Sequence, residues 1–229
     1  MSTLMLKSLH SASTYQICST SPHIARSRMA LKHSYSVLAP LYDAAVRGPL
    51  DQVRRKSLAR LKDIQDKDIL INGIGTGLDL EYLPDGARYT GSDITPLMLR
   101  RAEKRANQSA IDIRLICADS QNLPFEKESF DVIIMHLILA VVPDPERALQ
   151  EADRVLKKNG NIYILDKFLK PGQLAPVRRS LNTVLRHIAT RTDVVFEDVL
   201  LRCTHLHLVH DELALAGGWF RLIELTKRS

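Results

Sequence analysis

The sequence predicts an α/β fold: a mostly parallel, seven-stranded sheet with helices on both faces and a C-terminal antiparallel hairpin. Three observations predict it. Between Asp68 and Leu165, short apolar runs alternate with stretches of helical periodicity, the pattern of right-handed βαβ crossovers. The first apolar run, Ile69-Leu70-Ile71-Asn72, breaks into glycines at alternate positions, Gly73, Gly75 and Gly77. Such a turn at the carboxyl end of a strand lets the backbone approach a ligand, because no Cβ intervenes. After Asp166 the alternation gives way to a basic helical stretch and two further strands, which would complete the sheet at one edge.

Length and composition agree. A chain of 229 residues holds one α/β domain with a full core, and is short for two. Apolar residues at 45% and charged residues at 25% are ordinary for a globular protein, so disorder across the whole chain is not expected. The net charge of +6 is too modest to dictate an acidic partner. Cys18, Cys117 and Cys203 are scattered and odd in number, with no C-x-x-C pair; this argues against a disulfide framework or a cysteine zinc site and points to a reduced, cytoplasmic protein. The longest apolar stretch, Val132 to Val142, is interrupted by His136 and falls short of the ~20 residues of a membrane span. Residues 1–29 are rich in Ser and Thr, and no acidic residue precedes Asp43. They read as a disordered extension to a domain over residues 30–229, with a transit peptide as the competing reading of the same composition.

From Ser34 to Leu61 apolar residues recur at helical spacing, which predicts two helices meeting near Gly48-Pro49. Asp68 to Asn72 is the first strand. After the glycine turn, Leu78 to Leu83 opens a helix ended by Pro84-Asp85-Gly86. Arg88 to Asp93 is a second strand with an acid at its end, and Pro96 to Asn107 a helix with proline in its first turn. Ile111 to Ala118 alternates as a third strand and runs directly into Asp119; Phe130 to Met135 is a fourth, ending at His136. Pro145 to Lys158 carries one apolar stripe, and Asn159-Gly160 reads as its left-handed cap. Asn161 to Leu165 is the fifth strand, Val177 to Arg191 the basic helix, and the strands around Leu206-Leu208 and Trp219-Leu225 form the hairpin.

A dinucleotide fingerprint needs G-x-G-x-x-G, with the third glycine packing helix on strand. Here that position is Leu78. Asp93, twenty residues after Gly73, and Asp119 end consecutive strands beside the turn. That placement suits a nucleoside, one carboxylate accepting ribose hydroxyls and the other the exocyclic amine of adenine.

Four stretches in order, Ile69–Leu78, Tyr89–Arg101, Ile113–Phe125 and Ser129–Asp166, resemble the class I S-adenosylmethionine-dependent methyltransferases. In the last of them Ser129-Phe-Asp-Val-Ile-Ile-Met-His136 and Arg154-Val-Leu-Lys-Lys-Asn-Gly160 are especially typical. The resemblance covers about residues 34 to 229 and implies a Rossmann-like fold with S-adenosylmethionine as cofactor. It further implies that Gly73, Gly75 and Gly77 admit the methionine part, Asp93 holds the ribose, Ile94 packs on adenine, and Asp119 with Ser120 reads the adenine edge. The family usually carries an acid two places before the first glycine, to orient the cofactor's amino group. This chain has Ile71 there, and Asp79 is a candidate substitute.

Ser36-Val-Leu-Ala-Pro-Leu-Tyr-Asp43, Gly77-Leu-Asp-Leu80 and His136-Leu-Ile-Leu-Ala-Val-Val-Pro-Asp-Pro145 are similar to the bacterial phosphatidylethanolamine N-methyltransferase and quinone methyltransferase branch. The resemblance implies methyl transfer to a small molecule or phospholipid headgroup, at nitrogen or oxygen. C-methylation of a quinone-like ring is the alternative, and a non-catalytic, cofactor-binding protein is the alternative of another class.

Methyl transfer from a sulfonium requires a general base only when the nucleophile must lose a proton. His136, at the carboxyl edge, is the candidate for that role, against a hydrogen-bonded rim histidine that only shapes the pocket. Tyr35 and Tyr42, catalytic candidates seven residues apart on one helix face, are either core aromatics or, as the resemblance implies, part of a lid over the cofactor. His205, His207 and His210 alternate faces of a strand and would not converge on a metal, so none is expected. The basic set Lys167, Lys170, Arg178, Arg179, Arg186, His187 and Arg191 is a solvated face or a contact with anionic lipid at the inner membrane surface; without interleaved aromatics, nucleic acid is not expected. Nothing in the sequence sets an oligomeric state.

Overall fold

A computed structural model describes residues 48, 50–109, 111–169, 194–215 and 219–228. Residues 1–29, Tyr35, Tyr42, Cys18 and the basic stretch 177–191 lie outside the described residues.

A helix over residues 50–58 (α1) leads into β1 (Asp68–Asn72), a short 3-10 helix (Leu78–Tyr82), β2 (Arg88–Asp93) and α2 (Pro96–Ser109). Then come β3 (Ile113–Cys117), β4 (Phe130–His136), α3 (Pro145–Val155), β5 (Leu156–Lys167), α4 (Phe196–Leu200), β6 (Leu206–Leu215) and β7 (Phe220–Lys227). The seven strands lie in the order β3-β2-β1-β4-β5-β7-β6. All neighbours are parallel except β7, which runs antiparallel between β5 and β6.

Both faces of the sheet are covered, which is why its central strands read as continuous apolar runs. Leu70, Ile133, Met135, Ile162 and Ile164 face α3 and α4 on one side. Ile69, Ile71, Val132 and Ile134 face α1, the 3-10 helix and α2 on the other. Burying each such side chain contributes about 1.5–3 kcal/mol. The chain order reverses between β1 and β4, and the carboxyl ends of strands at such a switch point are where open α/β sheets leave a crevice.

Four local differences from the sequence reading appear, the first three with physical causes. The segment after the glycine turn is 3-10 rather than α-helical; Gly77, with φ of 80°, starts it without a side-chain cap. Helix α3 stops at Val155, not Lys158, because Leu156 is already extended and pairs with Phe130. Asn159 is left-handed as expected (φ 61°), but it serves a bulge in β5 rather than a helix cap. There Gly160 passes so close to β4 that a Cβ would sit 2.7 Å from the Asp131 carbonyl oxygen. Finally, β3 begins at Ile113 and β7 at Phe220, each slightly inside its expected start, while β6 extends to Leu215. No helix among the described residues is long and apolar enough to cross a membrane.

Candidate functional site

The three glycines of the turn all adopt positive φ, 79° at Gly73, 56° at Gly75 and 80° at Gly77, a region costly for residues with a Cβ. Their surroundings differ. A Cβ on Gly73 would strike Ile138 at 2.7 Å. On Gly77 it would lie 2.8 Å from Leu80 Cδ1 and 3.1 Å from Ala102 Cα, in the backbone of α2. On Gly75 it would meet nothing within 4 Å and would project into open space. The amides of Gly73 and Ile74 both donate to the Ser92 carbonyl, at 2.9 Å each, and so tie the turn to the end of β2.

Asp93 completes that tie. Its Oδ2 accepts from the Gly75 amide (3.0 Å) and its Oδ1 from the Thr95 amide (2.8 Å). Burial pushes its carboxyl up to about 6, and the two amide bonds pull only partly the other way. At the next strand end Asp119 Oδ1 accepts from the backbone and side chain of Gln121, at 2.9 and 3.0 Å. Ser120 turns its hydroxyl inward to donate to Asn72 Oδ1 (2.7 Å), which also accepts from Ser92 (3.3 Å). Asn72 is fully buried at the end of β1, and its Nδ2 has no hydrogen-bond partner among the described residues.

The far wall is a buried polar chain. Asp79 Oδ1 accepts from Arg54 Nη1 of α1 at 2.7 Å and lies 3.0 Å from His136 Nδ1. His136 Nε2 is in turn 3.0 Å from Ser57 Oγ. Beside a carboxylate, Nδ1 donates to Asp79, and Nε2 shares the second hydrogen bond with the serine hydroxyl. Burial alone would raise the Asp79 carboxyl, but the neighbouring His136 and Arg54 outweigh it and hold the group well below the usual carboxylate range. The order Ser-His-Asp is that of a hydrolase, yet Ser57 is 2% exposed and stands outside the residues that line the cleft. The chain ties α1 to β4 rather than offering a nucleophile.

Between these walls runs one cleft, bounded by Gly73, Gly75, Asp93, Ile94, Asp119 and Ser120 on the β1–β3 side and by Arg54, Asp79 and His136 opposite. A family profile described as a methyltransferase domain matches residues 70–164, which span the turn, both strand-end acids and His136. Over 202 residues the chain is 28% identical to the phosphatidylethanolamine N-methyltransferase of Cereibacter sphaeroides, covering 87% of this chain and 98% of that one. The chain carries a methyltransferase domain. It is 32% identical over 139 residues to the demethylmenaquinone methyltransferase of Thermus thermophilus, covering 58% of this methyltransferase and 63% of the relative. The crystal structure of the cyclase SpnF superposes with a TM-score of 0.70 at 17% identity, over 86% of this chain and 95% of that one, a likeness of fold alone. The methyltransferase domain and the named methyltransferases it resembles make the protein an enzyme rather than a non-catalytic binder.

The methyltransferase cleft brings together six of the seven residues expected to hold the cofactor. Gly77 stands apart: it does not line the cleft and instead lets the turn pack on α2, the job of the third glycine in a dinucleotide fingerprint, done one position early. His136 does line the cleft, but both ring nitrogens are engaged. That geometry favours the pocket-shaping reading over proton acceptance. Ile71 is 1% exposed in the apolar core, so it offers no polar group to a ligand. His205 pairs with Asp153 and His210 with Glu212, and no group of three metal-ligating side chains occurs among the described residues.

Sequence reasoning missed Arg54, Ser57 and Asn72. The first two carried a readable signal, being polar residues on the same helix face as Leu50, Val53 and Leu58.

Proposed function

We propose that this methyltransferase methylates the amine of a phospholipid headgroup, using the cleft beside the glycine turn. The observation that carries the reading is similarity along nearly the whole length of a phosphatidylethanolamine N-methyltransferase. The residues present suit the cofactor: the open space at Gly75 is a cradle that any Cβ would enter, and the orphaned Arg54 Nε is a buried donor on the opposite wall. When bound, S-adenosylmethionine supplies a methyl group on a sulfonium that a nucleophile displaces directly.

The chain's own groups supply position and dryness, where effective molarities reach ~10⁵ M or more. Asp93, already fixed by two amides, accepts the ribose hydroxyls. Ile94 gives an apolar face for adenine, and Asp119 accepts from the adenine edge while Ser120, anchored on Asn72, closes that wall. His136 holds Asp79 and α1 in place, and an amine that arrives neutral needs no base. The enzyme works in the cytoplasm, with the basic residues from Lys167 to Arg191 meeting anionic lipid at the inner membrane surface.

The demethylmenaquinone methyltransferase likeness favours a second reading, carbon methylation of a quinone-like ring. Incubating the protein with methyl-labelled cofactor, phosphatidylethanolamine vesicles and a demethylated quinol decides. The expected result is label in the headgroup. Label confined to the quinol would overturn the lipid reading.

A further inference from the structure

Strand β6 ends the sheet: β7 occupies one of its sides, and among the described residues no strand pairs with the other. Natural proteins defend such an edge with lysine, with proline or by keeping it short. β6 runs from Leu206 to Leu215, ten residues, and contains neither lysine nor proline. Its bulges, at Val209 and Ala214, leave His210 to Leu213 regular between them. Of the four large apolar side chains strongly exposed among the described residues, three lie on this strand: Leu208, Val209 and Leu213, at 49%, 57% and 56% exposure. Exposed apolar surface concentrated in this way marks a place of contact.

The strand is close to palindromic in polarity about Asp211. Apolar Val209 and Leu213 stand two positions to either side of it, and His210 and Glu212 one position to either side. A closed dimer brings one patch against itself across a two-fold axis, so that patch must be self-complementary. We infer that β6 pairs antiparallel with β6 of a second copy of this chain, about an axis at Asp211, and joins two sheets into one. Val209 then lies opposite the partner's Leu213, and His210 opposite the partner's Glu212, each pair occurring twice. Apolar and opposite-charge pairs of this kind stabilise an antiparallel ladder. His210 Nε2 already lies 3.4 Å from Glu212 Oε2 of its own chain, and Lys56 of α1 pairs with the same glutamate. The axis gathers two such clusters. Asp211 would meet its own copy, and like charges directly opposite repel, but its carboxylate is already matched. Arg221 Nε donates to Oδ1 at 3.0 Å and Nη2 donates to Oδ2, from a guanidinium held against Phe168 and Phe196. The acids Glu197, Asp211 and Glu212 along this edge suit a second copy better than an anionic lipid surface.

Sedimentation velocity on the full chain, over a range of micromolar concentrations, tests the pairing. Wild type is expected to form a dimer whose population rises with concentration. Leu213→Lys places a charge in both apolar pairs, and His210→Glu sets carboxylate against carboxylate twice. Each should weaken the dimer about tenfold or more while keeping the wild-type circular dichroism spectrum. The exchange His210→Glu/Glu212→His puts unlike groups opposite each other again and should recover the dimer, as a nonspecific apolar contact would not. If Leu213→Lys fails to fold, His210→Glu and the exchange decide. A wild type that stays monomeric at every concentration would overturn the proposal, whether residues 170–193 of the same chain cover β6 or the protein instead floats with phosphatidylglycerol vesicles. So would a dimer indifferent to either folded single variant, or one that the exchange does not recover.

Discussion

Replacing the middle and the last glycine of the turn with alanine, one at a time, should separate packing from ligand contact. At Gly77 the new methyl would lie 2.8 Å from Leu80 Cδ1 and 3.1 Å from the Ala102 backbone, at a φ of +80°. Left-handed backbone costs a non-glycine residue roughly 1–2 kcal/mol, and forcing a methyl into a filled site a further ~1–3 kcal/mol. Gly77→Ala is therefore expected to lose about 2–5 kcal/mol of stability, a Tm fall on the order of 5–15 °C for a chain of this length. At Gly75 nothing lies within 4 Å, so Gly75→Ala should lose only the backbone cost, roughly 1–2 kcal/mol. Its methyl, however, projects into the cleft, and affinity for S-adenosylhomocysteine should drop about tenfold or more. Urea unfolding and calorimetry on both variants check the contrast. Equal stability losses, or equal losses of affinity, would refute the division of labour between the two glycines.

Two further outcomes follow from the site's protons. Burial raises Asp93 to about 6 from an ordinary 3.8, so the ligand-free fold holds this proton more tightly than the unfolded chain; its contribution to stability is full below about pH 4 and is lost as pH rises through about 6. Ribose hydroxyls favour the charged carboxylate, so S-adenosylhomocysteine affinity should fall as pH drops below about 6, with proton release seen as a buffer-dependent binding enthalpy; affinity flat from pH 5 to 7 would contradict the role of Asp93. His136→Asn keeps a donor for Asp79 but orphans the Ser57 hydroxyl, and should cost about 1–3 kcal/mol in stability while the pH profile of kcat keeps its shape. Loss of a limb of that profile would restore His136 as a base.

The sheet was legible because its strands are buried on both faces and announce themselves as unbroken apolar runs, as in Ile69–Ile71 and Val132–Met135. Asp93 and Asp119 were legible because the first ends β2 and the second lies two residues past β3. Pairwise geometry was not. His136 is bound by residues 57 and 79 positions away in sequence, a separation no periodicity encodes. Which glycine faces α2 and which faces the cleft depends on the turn's φ angles, not on the spacing of the glycines. Asn159 was correctly placed as left-handed, but whether it caps a helix or makes a bulge was decided by Leu156 pairing with Phe130. Asn72, a polar hub between two serines, looks in sequence like an ordinary strand end.

We propose the cleft between Asp93 and the Arg54–Asp79 wall as the S-adenosylmethionine site. Calorimetric titration of the wild type and of Asp93→Ala with S-adenosylhomocysteine tests it most directly. Saturable one-to-one binding by the wild type is expected, with a loss of about 100-fold or more in the variant, because two ribose hydroxyls lose a charged acceptor. Equal affinity in the two proteins, or none in the wild type, would contradict it.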